Sequence, residues 1–361
     1  MKFMQLCRPD PKRTARRTGW ALYAGVLIAL LGVCELSRAG NLDSGSQSYQ
    51  VKDSGLLGRS GKPHDLYWLD SDRIIVIASK SGEMRVEKGN QFSRDDLFVW
   101  NVITDEVRRE DTLSWGSELC VAPRYLSYLF ERDGVRYIRF GKFQLTHEVE
   151  FDEQAIADGI LALSRVSCKE YNPKWLVKRY GRWAIPLMEP GEYLDRTQGH
   201  FVEPMRYFPA DGAESIPLPN IPNRNVIRTP RYSEYLNKYV FNELLTHFAE
   251  SSRQRAWLLD RQGRVQEITL PSGPWMAGSI DALPAKSGWV FTSTAIAIGR
   301  RVDAAGIYLL RNQQVIRLIS GYPHAFAVSP DGCKVAVALD RDSERMSRAT
   351  IQMINLCSNG E

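Results

Sequence analysis

The sequence lacks the short motifs by which common classes of enzyme are identified. It contains no H-E-x-x-H zinc motif, no G-x-S-x-G nucleophile elbow and no calcium loop of the D-x-[DN]-x-[DN]-G type. Its glycine-rich stretch at 55–62 has Pro63 where a phosphate-binding loop needs Ser or Thr, and its 5 histidines are scattered. The sequence therefore predicts no catalytic, cofactor-binding or metal-ligating residue.

Outside residues 1–39 the chain also has no excess of positive or negative charge. The chain has 47 basic and 42 acidic residues, and its formal net charge is +5. Residues 1–39 contribute that whole excess, which leaves the rest of the chain neutral. A neutral body excludes the electrostatic attraction on which nucleic-acid binding depends, so no nucleic-acid partner is predicted.

Residues 1–39 have the pattern of an export segment. The uncharged run 19–34 follows Arg16 and Arg17. Its length falls between a signal-peptide core of about 7–15 residues and a membrane span of about 20. Ser37 and Ala39 are small residues suited to cleavage after Ala39. We predict a signal peptide or a membrane anchor, with a lipid-modified Cys34 as a further alternative. The rest of the chain is expected in the periplasm, tethered to the inner membrane or released by cleavage.

After residue 40 the sequence favours antiparallel sheet. Apolar strands followed by polar turns and second strands recur about every 50 residues, which is close to the repeat of a four-stranded propeller blade. We predict an all-β fold in which 62–361 form a single six-bladed β-propeller, with six blades favoured over seven. Residues 40–61 are a linker whose segment 48–51 offers a ring-closing strand. The recurring strands are 97–101, 136–140, 205–208, 256–260, 307–310 and 351–355.

The clearest repeat surrounds Ser329-Pro330-Asp331-Gly332, where one alternating strand turns into another. Pro presets the backbone of such a turn, and Gly supplies the positive φ angle that it needs. This repeat resembles the SPDG blades of TolB-like, WD40-like β-propellers. The resemblance implies a fold rather than an activity, and the chain as a whole is similar to uncharacterised exported proteobacterial propeller proteins that accompany secreted-toxin genes.

Four cysteines lie beyond the export segment, and export makes their pairing plausible. If strands 333–340 and 350–357 pair antiparallel with their ends in step, Cys333 faces Cys357 directly. We predict that disulfide, and a second one between Cys120 and Cys168. Four cysteines allow three connectivities, and the spacing of the second pair does not require it.

The segment 169–195 interleaves basic and aromatic residues. It fits a long blade hairpin whose cationic side chains cover aromatic rings, or a loop that binds a protein partner. Farther along, 235–248 fits either an amphipathic helix or a strand. The candidate partner-binding residues are Tyr171, Trp175, Arg179, Tyr180, Arg182 and Trp183.

Two functions follow as hypotheses. The first is an exported, non-enzymatic propeller that binds a protein partner, with immunity or accessory binding to a secreted toxin as one version. The alternative is a periplasmic propeller enzyme, a lyase or a glycan hydrolase, with its site at the propeller mouth. Acidic, His or Tyr side chains that converge on the central channel would favour the enzyme.

Overall fold

In the computed structural model every described residue lies within Leu42–Glu361, which forms one compact unit. The predicted export segment therefore lies outside the described residues. Within the described ranges, no helix has the length and apolar character to cross a membrane. The described residues are 49–58, 66–80, 84–87, 90–93, 95–113, 119–122, 125–133, 135–141, 147–150, 184–186, 192–195, 205–221, 230–243, 252–277, 280–294, 304–340 and 349–357.

These residues are almost entirely β-strand, together with a 3-10 helix at Pro274–Ala277. The predicted all-β class is confirmed. The strands form successive four-stranded antiparallel units, which we number 1 to 6.

Unit 1 contains β2 (Leu66–Trp68), β3 (Arg73–Lys80), β6 (Asp96–Asn101) and β7 (Val107–Thr112), and a hairpin of β4 (Met84–Glu87) and β5 (Asn90–Ser93) follows β3 in sequence. Unit 2 contains β8 (Leu119–Ala122), β9 (Tyr125–Arg132), β10 (Val135–Gly141) and β11 (His147–Glu150). Unit 3 contains β12 (Ala184–Pro186), β13 (Tyr193–Asp195), β14 (Met205–Phe208) and β15 (Ile216–Leu218).

Unit 4 contains β16 (Arg231–Ser233), β17 (Lys238–Asn242), β18 (Gln254–Leu259) and β19 (Val265–Leu270). Unit 5 contains β20 (Ile280–Ala285), β21 (Gly288–Ser293), β22 (Gly306–Arg311) and β23 (Gln314–Ser320). Unit 6 contains β24 (Tyr322–Val328), β25 (Lys334–Asp340), β26 (Ala349–Asn355) and, from the other end of the chain, β1 (Val51–Gly58).

Units 6 and 1 form one continuous eight-stranded sheet, because β1 pairs with strands of both. From Val51 onward β1 runs antiparallel to β26, and its register breaks between Asp53 and Leu57. After the break β1 also pairs with β3, where Leu57 faces Ser79. A strand from near the start of the sequence thus completes the last unit, beginning where the predicted closing segment 48–51 ends.

The core consists of apolar side chains packed between neighbouring units. In β25, Ala336 and Ala338 belong to a cluster with residues of unit 1, whereas Val335 and Val337 belong to a cluster with residues of unit 5. Other clusters join unit 1 to unit 2 and unit 3 to unit 4. Each large apolar side chain buried in this way stabilises the fold by about 1.5–3 kcal/mol. Sheets covered on both faces explain the long apolar runs in the sequence.

The recurring strands predicted from sequence are the third strands of the units, from 97–101 in β6 to 351–355 in β26. The segment 235–248, predicted as helix or strand, contains β17.

The turn at 329–332 has the expected geometry. The amide of Gly332 donates to the carbonyl of Ser329 at 2.8 Å, the amide of Cys333 donates to the Asp331 carboxylate at 2.9 Å, and Gly332 has a φ of 74°.

Candidate functional site

The connections between strands differ at the two ends of the sheets. In units 1, 4, 5 and 6 the first two strands are joined by short turns, at 69–72, 234–237, 286–287 and 329–333. The amide of Lys286 donates to the Gly332 carbonyl at 2.9 Å, and the Lys334 ammonium donates to the Ser71 carbonyl at 2.9 Å. These contacts bring turns of units 1, 5 and 6 together at one end, which we call the short-turn end.

The opposite end, the long-connection end, is where second strands lead into third strands. In units 1, 4, 5 and 6 those connections cover 81–95, 243–253, 294–305 and 341–348, whereas in unit 2 the corresponding connection is the short one at 133–134. In an antiparallel unit of four strands, the fourth strand finishes at the same end. The last residue of β11, Glu150, therefore lies at the corresponding end of unit 2, and 151–183, which follow it in sequence, are outside the described residues.

The first strand of unit 1 contacts a turn of unit 4. The hydroxyl of Tyr67, on β2, donates a hydrogen bond to the carboxylate of Glu234, in the turn after β16. The pKa of Tyr67 is raised well above its usual value. The largest cause is burial, and the negative charge of Glu234 and the hydrogen bond to it contribute further. The hydroxyl stays protonated and ties unit 1 to unit 4.

A second contact joins units 4, 5 and 6. The guanidinium of Arg231, on β16, donates to the Asp281 carboxylate at 3.1 Å and to the Phe326 carbonyl at 2.6 Å. It also lies 4.7 Å from the centre of the Phe326 ring. The Asn242 amide donates to the other Asp281 oxygen at 2.7 Å. We call Tyr67, Arg231, Glu234, Asp281 and Phe326 the first-strand cluster.

A buried carboxylate ties unit 3 to unit 4. Glu192 is 2% exposed and accepts hydrogen bonds from the hydroxyls of Tyr207, at 2.8 Å, and Tyr239. Burial, together with the bond to Glu192, raises the pKa of both tyrosines. A buried carboxylate is costly unless it is hydrogen-bonded, so these two donors help to stabilise Glu192 in this position. We call this arrangement the Glu192 tie.

The pKa values of Tyr67, Tyr207 and Tyr239 are shifted farther from neutral pH. A general acid or base works best when its pKa lies near the working pH, and the three tyrosines are shifted in the opposite direction. Burial alone would raise the pKa of Asp70 and Asp331, but hydrogen bonds from nearby amides and side chains lower both. Each of these groups is held in one protonation state and serves to join turns or units.

His324 also has a shifted pKa. Burial lowers it and the charge of Asp340 opposes that shift, so the imidazole is neutral at neutral pH. It lies at a register irregularity of β24, between Pro323 and Ala325. Such irregularities redirect side chains and are frequent beside active sites. Among the residues that the structure describes, His324 is our candidate for proton transfer.

Cys333 and Cys357 form a disulfide at the short-turn end, with their Cα atoms 5.1 Å apart. The predicted strand register is wrong by one residue, because Asn355 faces Lys334 rather than Val335. The amide of Leu356 donates to the Cys333 carbonyl at 2.8 Å, which places Leu356 opposite Cys333. The cysteines bridge diagonally, at a bend in the chain, instead of lying directly opposed.

The structure does not test the other predicted sites. Cys120 lies in β8, whereas Cys168 is outside the described residues. Within the described ranges, no three His, Cys, Asp or Glu side chains come together as a metal-binding group, and the absence of a metal or cofactor stays a prediction. The partner-binding candidates Tyr171, Trp175, Arg179, Tyr180, Arg182 and Trp183 are also outside the described residues.

Sequence reasoning missed the Tyr67–Glu234 bond and the Glu192 tie. Tyr67 and Glu234 are 167 residues apart, and Glu192 and Tyr239 are 47 apart. No local motif joins such positions, so the sequence carries no signal that could have paired them.

No protein-family model matches the chain, and no curated protein matches its sequence. The predicted TolB-like membership is therefore not confirmed. Oligogalacturonate lyase in complex with manganese aligns at 8% identity over 87% of this chain and 95% of that one, with a TM-score of 0.37. A gluconolactonase from Xanthomonas campestris aligns at 9% identity over 86% and 90%, with a TM-score of 0.42. The β-propeller domain of the Trilobed protease from Pyrococcus furiosus aligns at 9% identity over 84% and 71%, with a TM-score of 0.25. Values this low transfer no activity to this chain.

Proposed function

We propose that units 1 to 6 close into a six-bladed β-propeller that binds a protein partner outside the cytoplasm. The double pairing of β1 supports the closure, because this strand joins the last unit to the first. Four-stranded antiparallel sheets packed face to face in sequence order are typical of propellers. The turn at 329–332 favours the TolB-like, WD40-like type of blade.

The observation that carries the binding role is the engagement of the central polar groups with one another. The first-strand cluster and the Glu192 tie hold units together through hydrogen bonds, and the raised pKa values of Tyr67, Tyr207 and Tyr239 keep their hydroxyls protonated. This arrangement suits a rigid frame better than acid–base chemistry. A rigid frame that carries its longer connections at one end is suited to presenting them to a partner.

The partner surface that we propose lies at the long-connection end and includes residues of 151–183. Tyr, Trp and Arg are the side chains that most often dominate protein interfaces. A secreted toxin is one such partner, which would make the chain an immunity or accessory protein. The proposed contacts are Tyr171, Trp175, Arg179, Tyr180, Arg182 and Trp183.

Capture from periplasmic extract tests this role. The tagged full-length chain is expected to retain a partner that the triple variant Trp175→Ala/Arg179→Ala/Trp183→Ala retains at least tenfold less well. Arg108→Ala is the control, because the Arg108 side chain is 64% exposed and lies on β7, away from the proposed surface. Equal capture by the triple variant and by the control would contradict the proposal.

A periplasmic lyase or glycan hydrolase is the second candidate, and His324 is the observation that favours it. Cell-envelope glycans incubated with the chain would then release products. That release should be lost in His324→Gln and kept in Arg108→Ala. Absence of any release by the native chain would leave the binding role as the better account.

The location outside the cytoplasm has its own test. Alkaline phosphatase fused after Glu361 folds only where disulfides form, so we expect an active fusion. An inactive phosphatase fusion together with an active cytoplasmic reporter at the same point would contradict export.

A further inference from the structure

The two halves of β1 are held in different ways. Its first residues, Val51 to Asp53, pair with β26 alone. Beyond the register break, Leu57 and Gly58 pair with β26 on one side and with β3 on the other. The second half is therefore the inner strand of a continuous sheet, whereas the first half depends on the end of β26.

That end of β26 is fixed by the disulfide. The amide of Asn355 donates to the carbonyl of Gln50 at 2.9 Å, and the amide of Leu356 donates to the carbonyl of Cys333 at 2.8 Å. Cys357 follows immediately and is bonded to Cys333, at the start of β25. The disulfide thus holds in place the residues against which 49–53 dock.

Both cysteines are partly exposed, so a small thiol reagent can reach the bond. A second anchor comes from Lys52, whose ammonium donates to the Val102 carbonyl at 2.8 Å and pairs with Asp105 at 3.2 Å. The Asp105 side chain is 60% exposed, and an ion pair this exposed contributes little. Gln352, which is 1% exposed, donates a further hydrogen bond to Asp53 at 3.1 Å, and Tyr49 packs against the apolar cluster that contains Val335 and Val337. Of the disulfide and the ion pair, the disulfide is the stronger constraint on 49–53.

We propose that Cys333–Cys357 is a redox-sensitive clasp for residues 49–53. When a dithiol reduces the bond, the two sulfur atoms take up two electrons and two protons, and the dithiol becomes a cyclic disulfide. The end of β26 then frays and 49–53 detach, while Leu57 and Gly58 stay in the sheet. This inference does not depend on partner binding.

Hydrogen exchange on the full-length chain, with and without dithiothreitol, tests the clasp. We expect the amides of 51–53 to exchange at least tenfold faster after reduction. The amides of Leu57 and Gly58, and those of β18 in unit 4, should keep their rates. Unchanged exchange at 51–53 would overturn the proposal. Equal acceleration in β18 would overturn it too, because the bond would then support the whole fold.

Variants separate this disulfide from other effects of the reagent. Cys333→Ser/Cys357→Ser should exchange quickly at 51–53 whether or not dithiothreitol is present. Cys120→Ser should keep the native response, and loss of that response would assign the switch to Cys120 and overturn the proposal. Lys52→Met should raise the oxidised rate and still respond to the dithiol. If the double variant does not fold, the native chain with dithiothreitol decides the question.

Discussion

The junction between units 6 and 1 is held by different forces from the junction between units 3 and 4. At the first, Trp68 and Trp100 pack against Ile351 and Met353, and strand pairing continues across the junction. At the second, apolar residues surround a buried carboxylate that accepts two tyrosine hydroxyls. The first junction relies on burial and backbone pairing, and the second adds the Glu192 tie.

The two junctions should differ in how their stability depends on pH and in how strictly they select one packing arrangement. The apolar packing between units 6 and 1 contains no titratable group, so its contribution should be insensitive to pH. The ion pairs at its edge, Lys52–Asp105 and Lys334–Asp72, have exposed carboxylates and should add little. The Glu192 tie requires neutral tyrosines and a bonded carboxylate, and a mispacked arrangement would leave a buried polar group unpaired at considerable cost. The apolar junction thus supplies stability over a wide range of conditions, whereas the polar junction selects one arrangement.

Truncation at the apolar junction should have the largest effect. Ile351 is fully buried, and Ile351→Ala should lower the free energy of unfolding by about 2–5 kcal/mol through lost burial and a cavity. Urea titrations at neutral and at alkaline pH should give the same loss. Leu194→Ala is the matched truncation at the other junction. A loss below about 1 kcal/mol for Ile351→Ala would mean that the site collapses around the smaller residue.

Removing the charge from the Glu192 tie should cost less. Glu192→Gln keeps one acceptor but turns an amide toward one of the two hydroxyls, for an expected loss of about 1–3 kcal/mol at neutral pH. Thermal and urea unfolding measure the change. Glu106→Gln, at an exposed turn position, is the control and should be nearly neutral. If both variants behave alike, the two junctions do not differ as we describe.

Alkaline pH should affect the polar junction selectively. The pKa values of Tyr207 and Tyr239 are raised in the folded state, so their contribution is fully present below the unfolded value of about 10. It is lost as the pH rises from there toward the folded values. Stability measured against pH should therefore fall more steeply in the native chain than in Tyr207→Phe/Tyr239→Phe. Parallel curves for the two proteins would refute this assignment.

The smallest effect on stability is expected at Lys52, at the edge of the sheet that joins units 6 and 1. Lys52→Met removes a partly exposed ammonium that pairs with an exposed carboxylate, and such pairs contribute about 0–1 kcal/mol. The melting temperature should shift only slightly, and added salt should reduce the difference between the two proteins. A loss as large as that of Ile351→Ala would place the strength of the closure in this ion pair instead of in the core.

The all-β class and the third strands could be predicted from sequence because both rest on local patterns. An apolar strand, a polar turn and a returning strand follow one another within a few residues, as at 97–101 and 307–310. The SPDG turn is equally local, since Asp331 and Gly332 supply its hydrogen bond and its positive φ within a few residues.

The register of β25 against β26 could not be predicted in the same way. Register is well specified when one face of a strand is apolar and the other polar. In β25 both faces are buried, with Ala336 and Ala338 on one and Val335 and Val337 on the other. A slip of one residue exchanges apolar side chains for apolar side chains, so hydrophobic pattern does not discriminate between the two registers. The site contacts escaped prediction because they join residues far apart in sequence.

The pairing of β1 with β26 has a consequence for the order in which the chain folds. Ser54 bonds to Ile351 across 297 residues, and Gln352 bonds to Asp53 across 299. Contacts of such high sequence separation form late, because a long loop must close before they stabilise anything. Ser54 emerges from the ribosome 297 residues before Ile351, so β1 must wait for its partner strand. Until then the apolar edge of β26 has no covering strand, and this late step of folding is also a step that protects the protein from aggregation.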